Sequence, residues 1–363
     1  MKIFFANPKA QNILLSKKLK KIFNNVISQN NYVLGNENIK FESNLKKYFN
    51  IKYALGVNSG TDALKIALKS LNLKKNSEVI IPSLTATATG SAVLESGAKP
   101  VIIDVDKTGN MDPAILKKKI STKTKAVIVV HLHGNPANIY EIKKIVKSIP
   151  IIEDCAQSMG SSINKKKVGT FGEISCLSFY PTKNLAAIGD GGAIITNNFS
   201  LFKKMKLIRQ YGWDDKRVSV EQGYNSRLDE VQAAILNLKI KFLNQNNLLR
   251  NKIAKKYMKS LKNLPIVFPQ TLKNTFHAYH LFVIQIKQRD KLMNYLKSKK
   301  IFPSIHYRVP LHKMPTFKKY KGSNMKQSNE MSNKMLSLPI YPELTLSQQT
   351  KVINTIKKYF KTK

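Results

Sequence analysis

The chain has 363 residues, with 62 Lys+Arg against 21 Asp+Glu, a formal net charge of +41 that invites a nucleic-acid reading. The excess is nearly all lysine, spread from Lys17 to Lys363, and neither a zinc-ligand pattern nor a basic–aromatic groove concentrates it, so it reads as a solvating coat and no nucleic-acid partner is expected. An apolar share of 42% with only Cys155 and Cys176 implies a packed core without a disulfide framework, and no run approaches the roughly 18 apolar residues a membrane span needs. The short apolar run at the start is no signal peptide, so the expected compartment is the cytoplasm.

In chain order, apolar and lysine positions at helical spacing predict a helix over residues 11–30 and a second over 37–49. A short strand, Tyr53–Val57, feeds Asn58-Ser-Gly-Thr-Asp62, and a helix follows at once. Small residues there let the backbone approach a ligand, and the first amides of a helix are unpaired donors suited to a phosphate. Ser59 or Thr61 could equally cap the helix with no ligand present. Strand and helix units then alternate: strands at 79–81, 100–104, 126–131 and 151–154, with helices at 90–96, 112–120 and 139–147. Nearly continuous apolar strands between helices predict a mostly parallel sheet covered on both faces, an α/β fold. In such sheets ligands gather outside the carboxyl ends of the strands. Asp154 ends one of them, either as a cap or as a buried anion that holds a proton on a heteroaromatic nitrogen. No P-loop lysine motif and no G-x-G-x-x-G follow the first strand, which disfavours nucleoside triphosphate and nicotinamide ligands.

The next β-type run ends at Phe179-Tyr180, where Pro181 breaks it. Lys183 follows among Ser, Thr, Asn, Gly and apolar residues, away from the charged lysine clusters. Desolvation there would lower its pKa, and an uncharged amine is what attacks an aldehyde. A long helix is predicted from Glu230 to about Leu261. After Pro265 come short elements: a strand at 280–286, a helix at 289–299, a strand at 305–307 and a final helix at 347–360. The expected division is a large α/β domain over 1–254 and a smaller C-terminal α+β domain over 255–363.

Seven stretches stand out in order: Asn58-Ser-Gly-Thr-Asp-Ala-Leu64, Glu153-Asp-Cys-Ala-Gln157, Ser178-Phe-Tyr-Pro-Thr-Lys-Asn184, Gly189-Asp-Gly-Gly192, Gly223-Tyr-Asn-Ser-Arg-Leu-Asp-Glu-Val-Gln-Ala-Ala234, Ile305-His-Tyr307 with Pro310-Leu-His312, and Leu336-Ser-Leu-Pro-Ile340. Together they resemble the DegT/StrS-type sugar-nucleotide aminotransferases, fold-type-I pyridoxal-phosphate enzymes. The resemblance implies that Lys183 bonds the aldehyde of pyridoxal 5′-phosphate and shuttles the proton at the substrate carbon. It implies that Asp154 pairs with the pyridinium nitrogen, that Gln157 lies against the ring, and that Gly60, Thr61 and Ser178 hold the phosphate. Asn225 would reach that phosphate from the other subunit of a homodimer. Arg227, His306 and Tyr307 would contact the nucleotide sugar.

A dehydratase branch carries histidine at the lysine position; lysine here implies transamination. The implied reaction moves an amino group, from L-glutamate, to a keto group of a nucleotide-linked 6-deoxyhexose, leaning to a dTDP-3-keto sugar over a 4-keto one. The product would serve surface polysaccharide or a glycosylated metabolite. A pyridoxal-phosphate-binding regulator on the same fold is the rival. Three places depart from the family's pattern. Ala86 replaces a ring-stacking aromatic, His131-Leu-His-Gly134 stands for His-Leu-Tyr-Gly, and His306-Tyr-Arg-Val-Pro310 stands for His-Tyr-Pro-Val-Pro. His133 and Arg308 either alter the substrate pocket or are surface changes.

Overall fold

A computed structural model describes residues 2–320, 322 and 324–361. Its centre is a seven-stranded sheet made of β1 (Tyr53–Val57), β2 (Glu78–Pro82), β3 (Lys99–Ile103), β4 (Thr124–Val130), β5 (Ile151–Asp154), β6 (Ile174–Ser178) and β7 (Gly192–Thr196), in the spatial order β1-β7-β6-β5-β4-β2-β3. β7 runs antiparallel to both neighbours, and the other pairings are parallel. The strands alternate their side chains between two apolar layers. Val79 and Ile81 of β2, with Ile128 and Val130 of β4, face one layer. Ile80, Val127 and Val129 face the other. Burying both faces is what makes the strands read as unbroken apolar runs, and each buried Val or Ile contributes roughly 1.5–3 kcal/mol.

The helices that matter for the site are α1 (Asn36–Phe49), α2 (Gly60–Ser70), α3 (Thr87–Glu95), α4 (Glu230–Lys239), α5 (Leu243–Leu261) and α6 (Leu346–Lys361). A third apolar cluster joins α5 and α6 to the antiparallel pair β8 (Phe282–Gln285) and β9 (Met335–Leu338), with the rings of Tyr257 and Phe282 stacked at 5.2 Å. Ile3 belongs to the same cluster, because Ile3–Phe4 pairs in parallel with Ile301–Phe302.

Three local expectations change. The first helix divides into Pro8–Leu14 and Ser16–Ile27 at Leu15. The expected single helix from Glu230 is broken by a tighter turn at Ile240–Phe242, next to Lys239, whose amine is drawn inward to the Ala186 carbonyl at 3.0 Å. Residues 305–307 form a turn in place of a strand, because side chains of other segments capture the polar groups of His306. No helix among the described residues is long and apolar enough to cross a membrane.

Candidate active site

The register of the sheet places Asp154 beside Cys176, Ser178 beside Gly192, and Gly192 beside Val57. The carboxyl ends of β1, β5 and β6 therefore open on one edge, where strand-end ligands bind in this class of sheet. Beyond β6, Phe179 is fully buried and anchors the loop, which closes through the Lys183 N–H to the Tyr180 carbonyl at 2.8 Å and the Ala187 N–H to the Phe179 carbonyl at 2.7 Å. Asn184 fixes the far side by donating to Asn247 Oδ1 at 2.7 Å and to the Ala278 carbonyl at 2.9 Å. Lys183 is thus presented by a rigid loop. Burial pushes its amine down to about 8, and the charge of Asp154 acts in the opposite sense. Each group thus feels the other's charge.

Asp154 accepts from Thr89 Oγ1 at 3.0 Å and from the Ala156 N–H at 3.1 Å. Burial nevertheless pushes its carboxyl above the usual aspartate range, with those hydrogen bonds and Lys183 opposing. Strand alternation sends the adjacent Glu153 to the opposite face. There it takes N–H bonds from Gly169, Phe171 and Gly172, each at 2.7 Å, and meets His131 Nε2 at 3.0 Å. His131 Nδ1 accepts from the Ala137 N–H at 3.0 Å, so both ring nitrogens are engaged and this buried pair serves the frame of the site.

A cradle lies at the start of α2. Ser59 caps the helix, its Oγ accepting from the Asp62 N–H at 3.1 Å. A side chain at Gly60 would put its Cβ 2.7 Å from Ser178 Cβ, and one at Gly192 would come within 2.4 Å of the Ser59 carbonyl. Only glycine permits these approaches, which bring Ser178 against the first turn of the helix. Gly60, Thr61 and Ser178 are thereby assembled.

Gln157 is buried and bridges two segments. Its Oε1 accepts from the His133 N–H at 2.7 Å, and its Nε2 donates to Tyr307 Oη at 2.8 Å. Burial and the charge of Asp154 push the Tyr307 phenol up to about 12. His306 is pushed down to about 4 by burial and by Lys183. The charges of Lys183 and Asp154 thus reach His306 and Tyr307 respectively. Arg308 points away, exposed, toward Asp290 at 3.5 Å. Ala86 precedes α3 and offers no ring; the hydroxyls of Thr85 and Thr89 meet there at 2.9 Å.

Asn225 and Arg227 are not brought to Lys183. They line a separate cavity of about 230 Å³ with Tyr32, Val33, Asn58, Leu228 and Asp229. Asn225 is exposed, and the Arg227 guanidinium lies 5.8 Å from the centre of the Tyr211 ring. Sequence reasoning missed Thr89, whose hydroxyl orients Asp154 from 65 residues away; nothing in the local pattern signals it.

Comparison with known proteins agrees with this geometry. The family model described as the DegT/DnrJ/EryC1/StrS aminotransferase family matches residues 14–357. The chain is 36% identical, over 96% of its length and 97% of that protein, to a dTDP-3-amino-3,6-dideoxy-α-D-galactopyranose transaminase of Aneurinibacillus thermoaerophilus. It is 36% identical, over 92% of its length and 91% of that protein, to a UDP-N-acetyl-3-dehydro-α-D-glucosamine 3-aminotransferase of Acidithiobacillus ferrooxidans. Among solved structures, DesV of S. venezuelae in complex with a ketimine intermediate superposes with a TM-score of 0.95 at 33% identity, over 99% of this chain and 98% of that one. With the strand order, the strand-end lysine and carboxylate, and these matches all spanning the same residues, the chain belongs to the DegT/DnrJ/EryC1/StrS aminotransferase family.

Proposed function

We propose that this protein transfers the amino group of L-glutamate to the C3 keto group of a dTDP-linked 6-deoxyhexose. At the coarser level it is a pyridoxal-phosphate-dependent aminotransferase of sugar nucleotides. The observation that carries the finer reading is the position shared by the two transaminases above: one is named for a 3-amino sugar on dTDP, the other for a 3-dehydro sugar on UDP. The carbon is common to both although the nucleotide differs.

The residues present fit the cofactor. A carboxylate has about four acceptor positions, and Asp154 has two donors on them, so a protonated ring nitrogen would complete a buried anion that burial alone disfavours. The Gly60–Ser178 contact leaves a cradle that a Cβ would fill. When bound, pyridoxal phosphate supplies an aldehyde to the amine and an electron-withdrawing ring that acidifies the neighbouring C–H. The helix-start amides of Gly60 and Thr61 and the Ser178 hydroxyl would hold the phosphate. Asp154 would keep the proton on the ring nitrogen, and Gln157 would lie against the ring. Lys183 Nζ takes a proton from the substrate carbon and returns one, a task suited to an amine whose pKa is about 8. His306 and Tyr307 face the sugar nucleotide, Arg227 contacts it, and Asn225 completes the phosphate site of a second copy in a homodimer.

The test is amino transfer by the pyridoxal-phosphate-loaded protein from L-glutamate to a dTDP-3-keto-6-deoxyhexose, a dTDP-4-keto-6-deoxyhexose and a UDP-3-keto sugar, with products identified by mass. The dTDP-3-keto sugar should be the best acceptor. Preference for the 4-keto sugar overturns the C3 assignment, preference for UDP overturns the nucleotide, and a better donor than glutamate overturns the donor. Cofactor binding without transfer to any of the three would favour the regulator.

A further inference from the structure

His133 joins Gln157 to the 306–307 segment. Its backbone is left-handed, with φ of 59°, inside the short turn Leu132–Gly134. That conformation lets its N–H reach Gln157 Oε1 at 2.7 Å, while its carbonyl accepts from the Leu281 N–H at 3.3 Å. Its ring Nε2 lies 2.9 Å from the His306 carbonyl. A carbonyl can only accept, so this nitrogen carries the hydrogen and Nδ1 is bare. Burial, His306 and Lys183 together push the ring down to about 3, so it carries a single proton at neutral pH. His133 therefore grips the 306–307 segment at two points. The ring holds the backbone of His306 directly, and the N–H fixes the Gln157 amide whose other end holds Tyr307 at 2.8 Å. His306 is braced from behind by Ser337 Oγ at 2.9 Å from its Nδ1 and by the Phe5 ring at 5.2 Å.

We propose that His133, which stands where the family pattern has tyrosine, is the positioning residue that fixes His306 and Tyr307 in place and so tunes the fit of the sugar nucleotide. It would act through Gln157 and His306, the two groups it holds. The assignment rests on the sugar-nucleotide reading above, with its sugar side at 306–307. It predicts a selective effect: the sugar half-reaction depends on His133, and the glutamate half-reaction does not.

The experiment compares His133→Phe, which keeps a ring but loses the donor, with His133→Gln, whose side-chain amide can donate in place of Nε2. Holoenzyme binding of dTDP-glucose, which has no keto group to react, is measured by calorimetry. KM and kcat are measured with the keto sugar, and the glutamate half-reaction is followed by the absorbance of the bound cofactor. Loss of one buried hydrogen bond predicts about tenfold weaker dTDP-glucose binding and about tenfold higher keto-sugar KM in His133→Phe. The glutamate half-reaction should stay within about twofold of wild type, and His133→Gln should recover most of the loss.

Wild-type binding by His133→Phe, equal damage to both half-reactions, or no recovery in His133→Gln would each overturn the proposal. If the wild type itself bound no dTDP-glucose, the dTDP assignment would fall, and nitrogen NMR of histidine-labelled enzyme would still decide the grip on His306. A protonated Nε2 with a bare Nδ1, unchanged between about pH 6 and 8, supports it, and a ring that titrates there overturns it.

Discussion

Lys183 shows how position along the chain becomes chemistry. A lysine of ordinary pKa is neutral roughly once in a thousand at pH 7.5, whereas one near 8 is neutral about a quarter of the time. Two opposed forces set that value. Burial removes water from the ammonium and lowers its pKa, while the Asp154 charge holds the proton on. The sign of each variant follows. Cofactor-free enzyme should take up pyridoxal phosphate at a rate that rises with pH through a midpoint near 8. In Asp154→Asn the midpoint should move lower, because the counter-charge is gone while burial persists. Lys183→Ala should lose the visible band of bound cofactor altogether. Stopped-flow absorbance across pH checks all three, and a midpoint that stays near the ordinary lysine value, or rises in Asp154→Asn, contradicts the account. Asp154 and Lys183 are both legible in the sequence, because each lies at or just past the end of an apolar strand run and has small residues nearby. Thr89 is not, because its hydroxyl matters only once α3 is folded against the end of β5.

The same distinction operates between elements. Nearly unbroken apolar runs between helices betray the strands and the parallel sheet that buries both their faces. What such runs cannot show is which partners a strand's polar exceptions meet. Glu153 reads as one of two consecutive acids, yet its donors come from the loop at 169–172, and its other partner, His131, follows the end of β4. Nor does helical periodicity foresee that the Lys239 amine turns inward and the helix breaks beside it, or that residues 305–307 yield their hydrogen bonds to His133 and Ser337. Glu153 carries a prediction at this scale. All its contacts donate to it, so Glu153→Gln must aim an amide N–H at a donor in a site with no water access. The variant should lose roughly 3 kcal/mol of stability in urea unfolding of the cofactor-free protein, with a loosened 169–172 loop. A loss below about 1 kcal/mol would mean that the carboxylate is not what ties β5 to that loop. Gly60→Ala tests a second junction: its methyl would press on Ser178. It should weaken pyridoxal phosphate binding about tenfold or more while leaving the Lys183 midpoint unchanged.

At the scale of the whole molecule, the lysine coat is interrupted by apolar side chains that lie open: Ile13, Leu14, Phe23, Ile27 and Ile39 around the N-terminal helices and α1, with Val218 and Val220 on the 211–223 loop. Burying such side chains against a second copy would remove apolar surface from water. The exposed Asn225 and the Arg227 cavity stand apart from Lys183 within one chain. Both facts fit the proposed homodimer, in which each chain lends Asn225 to the other's phosphate site. Two copies each bearing +41 repel, so pairing should be measured near physiological salt, where charges beyond about 8 Å are screened. Lys183→Ala and Asn225→Ala should each be nearly inactive alone. On unfolding and refolding together, random pairing makes half the dimers mixed, and one site in each mixed dimer has both its lysine and its asparagine intact. Activity should therefore recover to about a quarter of the wild-type value. If each chain builds its site alone, every mixture stays as inactive as its parents, and a full-strength Asn225→Ala homodimer would remove Asn225 from the site in either chain.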